Sequence, residues 1–337
     1  MKRVFAFGLL CCTALVGAAL PGDTFRPVAG AVIGRATPWT AAPVAEPETL
    51  RFAVIGDRTG LARPGVFEQA MNQIGWMRPE FVINAGDLIE GYTDDKGEIA
   101  GEWDHIQGAV AKLGVPFFYV PGNHDLGTDA ELQVWRERHG SPYYAFEYKN
   151  VLFLCLDTED PPMPMSPEMS KQFRGVLTAL AADPVGTEKA INAQLAQVNK
   201  SRALETAGVN GARFSDAQID FVRRTLAAHR NVRWTFVLMH KPAWTLKSAA
   251  FDKIEAMLAD RKYTVIAGHN HYYSHELRNG RDYFQMGTVG AISHQEGPGK
   301  MDHLAWVTVD KTGPHYALVR LTGLLDKNGE TGQTSAR

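Results

Sequence analysis

Five short apolar runs, each ending at a glycine, at Pro-Gly or directly at an imidazole, constrain this chain more than any other feature. Leu50-Arg51-Phe52-Ala53-Val54-Ile55 runs into Gly56-Asp57-Arg58-Thr59-Gly60, and Phe81-Val82-Ile83-Asn84-Ala85 into Gly86-Asp87-Leu88-Ile89-Glu90. Val115 to Val120 leads to Pro121-Gly122-Asn123-His124-Asp125, Arg233 to Met239 to His240-Lys241-Pro242, and Tyr263 to Ala267 to Gly268-His269-Asn270-His271. Runs of this length, apolar nearly throughout, read as buried strands. Helical periods follow the first two, over Val66 to Trp76 and Trp103 to Leu113. Repeated strand–helix units imply neighbouring parallel strands that deliver their polar tips to one sheet edge, where open α/β sheets bind ligands.

The remaining elements are simpler. Tyr143 to Tyr148 and Val151 to Leu156 read as an antiparallel pair turning at Lys149-Asn150. After Asp157 the strand pattern breaks: Pro161 to Pro167 is rich in Pro and Met, and Glu168 to Ala182 and Thr187 to Ala207 read as helices. Core periodicity resumes at Phe214, with Ser215 as N-cap of a helix over Ala217 to His229. Thr158 to Arg213 is therefore expected to be a helical insertion that could overhang the strand-exit edge. Phe251 to Leu258 is a further helix; Tyr272 to Leu277 and Asp282 to Met286 pair around Asn279-Gly280, and His303 to Val309 pairs with His315 to Leu321. These later strands are expected to form a second sheet packed on the first.

The ends bound the setting. Lys2 and Arg3 precede an apolar run from Val4 to Leu20, with Gly17, Ala18 and Ala19 at a plausible cleavage point, so residues 1–20 read as a secretory signal peptide. Pro21 to Glu48 is a Pro/Ala-rich linker, residues 49–323 a single domain, and 324–337 a polar tail expected to fray. With Cys11 and Cys12 in the signal, Cys155 is left alone and forms no internal disulfide; export without disulfides points to a periplasm-like compartment. A membrane enters only if the N-terminal segment stays uncleaved. A net charge of −2, with 21% charged residues, offers no basic nucleic-acid surface.

The order Gly-Asp, Gly-Asp, Gly-Asn-His-Asp, His, Gly-His-x-His resembles the calcineurin-like metallophosphoesterase superfamily, over about Phe52 to Val289 without the insertion. The resemblance implies a two-sheet mixed β sandwich flanked by helices, in four α/β/β/α layers. It also implies a dinuclear hydrolase of phosphomonoesters or phosphodiesters that attacks with a metal-activated water. By that resemblance Asp87 bridges two ions, Asn123, His240 and His269 complete one site, and Asp57 and His271 hold the other. His124 would serve the leaving oxygen and Asp125 the catalytic loop. Oxygen and imidazole ligands suit Mn, Fe or Zn ions, and two such ions roughly 3.5–4 Å apart clamp a phosphate for in-line attack.

One position departs from the family pattern. Most members carry His two residues after the first Asp, where this chain has Thr59. The purple acid phosphatase branch lacks that His too and uses a Tyr three residues after the bridging Asp, where this chain has Glu90. Glu90 is therefore the expected replacement ligand, with Thr59 or Tyr92 behind it. Arg58 and His294 are candidates for contact with a small-molecule phosphate ester. A cyclic-nucleotide phosphodiesterase is an alternative. A protein Ser/Thr phosphatase fits less well, since Leu88-Ile89-Glu90-Gly91 replaces that branch's Val-Asp-Arg-Gly. A catalytically silent binding protein on the same scaffold is the alternative from another class.

Overall fold

The computed structural model describes residues 48–332, apart from 184, 188, 192, 194–210, 247, 294 and 329. Two mixed sheets lie in the unit that begins at Thr49. The first is built from β1 (Leu50–Ile55), β2 (Phe81–Asn84), β3 (Phe117–Phe118), β10 (His303–Val309) and β11 (Pro314–Arg320), in the order β11-β10-β1-β2-β3. The second contains β4 (Tyr144–Tyr148), β5 (Val151–Cys155), β6 (Trp234–Leu238), β7 (Tyr263–Ala267), β8 (Ser274–Arg278) and β9 (Arg281–Gln285), in the order β4-β5-β6-β7-β9-β8.

Alternation along each strand builds the layers. Phe52 and Val54 of β1 face Val151, Phe153 and Cys155 of β5 in the core between the sheets. Ala53 and Ile55 face the other way, onto the helices α1 (Val66–Met77), α2 (Lys96–Ala111) and α3 (Asp129–His139). Leu152 and Leu154 likewise turn outward onto α5 (Asp216–Ala228) and α6 (Ala249–Met257). With both faces covered, neither strand shows a polar alternation, and apart from the exposed Arg51 at the start of β1 both runs are apolar. Phe52 knits the sheets together, stacked on Phe81 at 5.1 Å and edge-on to Phe153 and Phe236 at 5.3 and 5.2 Å.

The parallel strands β1, β2 and β3 were expected from the repeated units and are present, and β5, β6 and β7 are parallel neighbours in the second sheet. The later strands do not form a sheet of their own. The β8–β9 hairpin extends the second sheet through β7, whereas β10 and β11 join the first through antiparallel pairing of β10 with β1. Burial explains the split: β10 contributes Leu304 to the helix-facing core and Ala305, Val307 and Val309 to the core between the sheets. Hydrogen bonds tie the tail to α1 as far as Gly332. The buried Gln73 amide of α1 donates to the carbonyls of Leu321, Leu324 and Thr331, and Asn72 donates to that of Gly332.

The insertion begins and ends at one neck, where Arg213 N–H donates to the Thr158 carbonyl at 2.8 Å. Its helix α4 (Pro167–Ala182) starts at the Ser166 cap. It packs Phe173, Val176, Leu177 and Leu180 against Leu61 and Ile292, on the loops after β1 and β9. Arg174 pins it from the side, donating to the Gly91 carbonyl and pairing with Glu98 and Glu102 of α2. The helix expected over Thr187 to Ala207 falls largely outside the described residues, as does the whole of residues 1–47. No helix among the described residues is long and apolar enough to cross a membrane.

At the end of α3, His139 sits among Trp103, Tyr119 and Trp135, and burial lowers its pKa to about 4. A histidine held neutral in this way stabilises the fold above its unfolded pKa, and that contribution is lost as pH falls through 4. His139→Phe keeps the aromatic packing and removes the titration. The wild-type stability should drop by roughly 2–3 kcal/mol more than the variant's between pH 7 and 4, at about 1.4 kcal/mol per pKa unit. Denaturant melts across that range check this, and parallel curves would contradict it.

Candidate metal centre

The strand exits converge. Asp87, His240 and His269 place one ligand atom each within 4.8 Å of one another, and so do Asp57, Asp87 and His271. Asp87 belongs to both groups. Its surroundings are dry: Asp57, Asp87, His240 and His271 are all buried.

Backbone carbonyls set the imidazoles. His240 Nδ1 lies 2.9 Å from the Ala85 carbonyl and His271 Nδ1 lies 2.6 Å from that of Ile292. A carbonyl only accepts, so each Nδ1 carries the proton and each Nε2 turns its lone pair inward. His240 Nε2 is then 3.0 Å from Asn123 Oδ1, 3.1 Å from Asp87 Oδ2 and 3.2 Å from His269 Nδ1. The amide of Asn123 is oriented by its other end, which donates to the Tyr92 hydroxyl at 2.6 Å. The His240 lone pair thus faces the amide and carboxylate oxygens in a water-poor site, and a positive charge among them, a proton or a metal ion, relieves the repulsion.

The ionisation balance points the same way. Burial, reinforced by the nearby Asp87 charge, raises the Asp57 carboxyl well above its ordinary range. Burial works upward on Asp87 as well, but the charges of His240 and His124 overcome it and hold this carboxyl low. Burial opposes a charge on His240, yet Asp87 pushes its pKa up to about 9, while burial and then His240 hold His269 low. The cluster attracts a proton to His240, where a metal ion would supply the same charge. Asp57 Oδ1 is buried with no hydrogen-bond partner among the described residues, and so is Thr59 Oγ1. The donor set fits hard or borderline metal ions: carboxylate and amide oxygens with imidazole nitrogens.

Backbone strain holds this arrangement. Asp87, His269 and His271 adopt positive φ angles of 54°, 76° and 50°, sparsely populated for non-glycine residues. Gly86, at φ 98°, brings the chain so near His240 that a Cβ there would lie 2.2 Å from Nδ1. Two locks fix the loops. Asn84 exchanges both hydrogen bonds of its amide with Val120, continuing the pairing of β2 beyond the two-residue β3. Asp125 accepts four backbone N–H bonds, from Asp87, Leu88, Ile89 and Gly122.

The geometry bears on two expected roles. Asp125, with all its acceptor directions spent on backbone N–H groups, is placed to position the Asp87 and His124 loops, the orienting role expected of it. Glu90 belongs to neither ligand-spaced group among the described residues. Its carboxylate accepts from the N–H groups of Leu61 and Ala62, at 3.2 and 2.6 Å, and its carbonyl lies 2.7 Å from His124 Nδ1. Tyr92 turns its hydroxyl to Asn123, and its ring lies 4.5 Å from that of His124. Phe173 of α4 lies 5.1 Å from the same imidazole, so the insertion covers it. Arg58 donates to the Leu88 carbonyl at 3.3 Å, and its backbone N–H, with that of Thr59, binds the Asp87 carbonyl. His294 lies outside the described residues.

Comparison with known proteins is decisive at the level of family. A profile of the calcineurin-like phosphoesterases matches residues 50–273. The chain belongs to the calcineurin-like phosphoesterase family. It is accordingly a metal-dependent hydrolase of phosphate esters. No curated protein matches the chain. Among solved structures it is similar to a purple acid phosphatase from yellow lupin, Lupinus luteus, at 14% identity and a TM-score of 0.50. That match covers 80% of this chain and 51% of the lupin one. It is also similar to a dimetal phosphatase from Danio rerio, at 16% identity and a TM-score of 0.49, covering 80% and 98% of the two chains. At such identities the lupin likeness bears on fold alone.

Because Glu90 ties down the loop after Asp57, Glu90→Ala should leave metal content unchanged. It should loosen the loop and the His124 imidazole, lowering turnover about tenfold or more. Elemental analysis beside steady-state kinetics checks this, and loss of metal from Glu90→Ala would restore the carboxylate as a ligand.

Proposed function

We propose that this phosphoesterase is a dinuclear enzyme, exported from the cytoplasm, that hydrolyses a small phosphate monoester or diester with Mn, Fe or Zn ions. The observation that carries this reading is the membership of Asp87 in both ligand-spaced groups. One ion would be held by Asp87, Asn123, His240 and His269, the other by Asp57, Asp87 and His271. Thr59, whose buried hydroxyl has no partner among the described residues, is the best-placed supplement to the second set. When bound, such a pair supplies Lewis-acid polarisation of the phosphoryl group and acidifies water. Export rests on the charged start and apolar run of residues 1–20.

The chain's own residues supply the rest. His124 has its Nδ1 held by the Glu90 carbonyl, which leaves Nε2 to carry a proton to the departing oxygen. Its backbone N–H donates to Asp87 Oδ1 at 3.0 Å, so the loop bearing the acid is indexed on the carboxylate shared by both groups. The Tyr92 and Phe173 rings exclude water from the imidazole. Tyr92 also fixes the direction of the Asn123 amide. The silent-binding alternative leaves this orientation of His124 without a use.

Hydrolysis of a chromogenic phosphate ester, measured on metal-free protein and after adding back Mn²⁺, tests the assignment. His124→Ala should lose at least about 10²-fold in kcat with metal content intact, whereas Asp87→Ala should lose both ions and all activity. Wild-type turnover in His124→Ala, or two retained ions in Asp87→Ala, would contradict these roles.

A further inference from the structure

Beside the cluster lies a cavity of about 160 Å³, with Asn123 and His269 in its wall. Met163, Met165 and Met169, from the insertion, supply apolar lining, and Lys241 and Arg213 supply its positive charge. These cations share one carboxylate. Lys241, only 3% exposed, places Nζ 2.8 and 3.0 Å from the two oxygens of Glu159. Arg213 reaches the same carboxylate at 2.9 Å through Nη2 and donates through Nε to the Pro161 carbonyl. Its Nη1 is buried and has no partner among the described residues.

A neck that only had to close the insertion would need one cation for one carboxylate. Here two converge on Glu159, with Asp157 and Asp160 close by on the neck, and Arg213 keeps an unspent guanidinium edge in a wall that also holds Asn123 and His269. A buried N–H donor with no acceptor is costly. An incoming anion would satisfy it, and a guanidinium matches carboxylate and phosphate oxygens through paired N–H donors.

We infer that this cavity is a second anion site: the substrate is a phosphate ester whose leaving group carries its own carboxylate or phosphate, bound by Arg213 and Lys241. The methionines would contact the carbon skeleton between the two anionic groups, adapting to its shape. The inference rests on the phosphoesterase reading for the scissile group, and it assigns the insertion the choice of leaving group.

The test compares phenyl phosphate with the three isomers of carboxyphenyl phosphate. At least one isomer should exceed phenyl phosphate about tenfold in kcat/KM. Arg213→Gln and Lys241→Met should each bring that preference toward unity, and Glu159→Gln should enlarge it by releasing both cations. A ratio between two substrates is insensitive to the fraction of folded enzyme, and a purely structural neck would not move in opposite directions. The same comparison by calorimetry on metal-loaded His124→Ala reads binding without turnover. A binding preference without hydrolysis of any ester would support the anion site and contradict the hydrolase reading. Equal binding of phenyl phosphate and all three isomers, or a preference that survives both cation substitutions, would overturn the inference.

Discussion

Crowded lone pairs are the constraint on which this structure depends. His240 Nε2, Asn123 Oδ1, Asp87 Oδ2 and His269 Nδ1 meet at hydrogen-bonding distances, and once the carbonyl of Ala85 holds the Nδ1 proton of His240, its Nε2 faces two oxygens that only accept. Asp57 presents a further buried oxygen with no partner among the described residues. A proton or a metal ion at such a point relieves the crowding. The strained φ angles, the close backbone approach at Gly86 and the Asn84 and Asp125 locks all hold acceptors together against their mutual repulsion. That is the pattern expected where strain is kept for use rather than relieved.

The sandwich supplies the rigidity this requires. Strands buried on both faces have little freedom to shift register, since a one-residue slip would exchange the inter-sheet phenylalanines with the smaller residues under the helices. Five exits from two sheets therefore arrive at one edge with fixed spacing. The insertion contributes from outside that frame. Its α4 covers His124 and Tyr92 with Phe173, is held by Arg174 against Glu98 and Glu102, and returns to the core through the Glu159–Arg213 neck. A common scaffold thus carries its individual chemistry on a peripheral element.

What was legible in the sequence followed from the same physics. The strand exits stood out because double burial removes polar residues from a strand and leaves the first polar ones at its end. The hairpin at Asn279-Gly280 was legible because both residues take positive φ. Helix α3 escaped notice: Val134 and Trp135 are its only buried apolar residues, with Ala130 and Leu132 packed at the edge, and its clearest signal is the Thr128–Glu131 capping box. For Glu90, spacing along the chain says where the residue lies but not which way its carboxylate turns, and it accepts from the N–H groups of Leu61 and Ala62. Sheet membership of β10 was illegible for a related reason, since local pattern identifies a strand but not its partner across some 250 residues of chain. Lys241 could have been singled out, being a lysine at a strand exit directly after a candidate ligand.

The dinuclear centre stands or falls on whether the Asp87 carboxylate joins two ions. Anomalous diffraction from crystals grown with Mn²⁺ measures this directly. It should show two peaks roughly 3.5–4 Å apart, with one Asp87 oxygen or both between them, Asn123, His240 and His269 around one, and Asp57 and His271 around the other. A single peak, or two peaks that do not share Asp87, would contradict it.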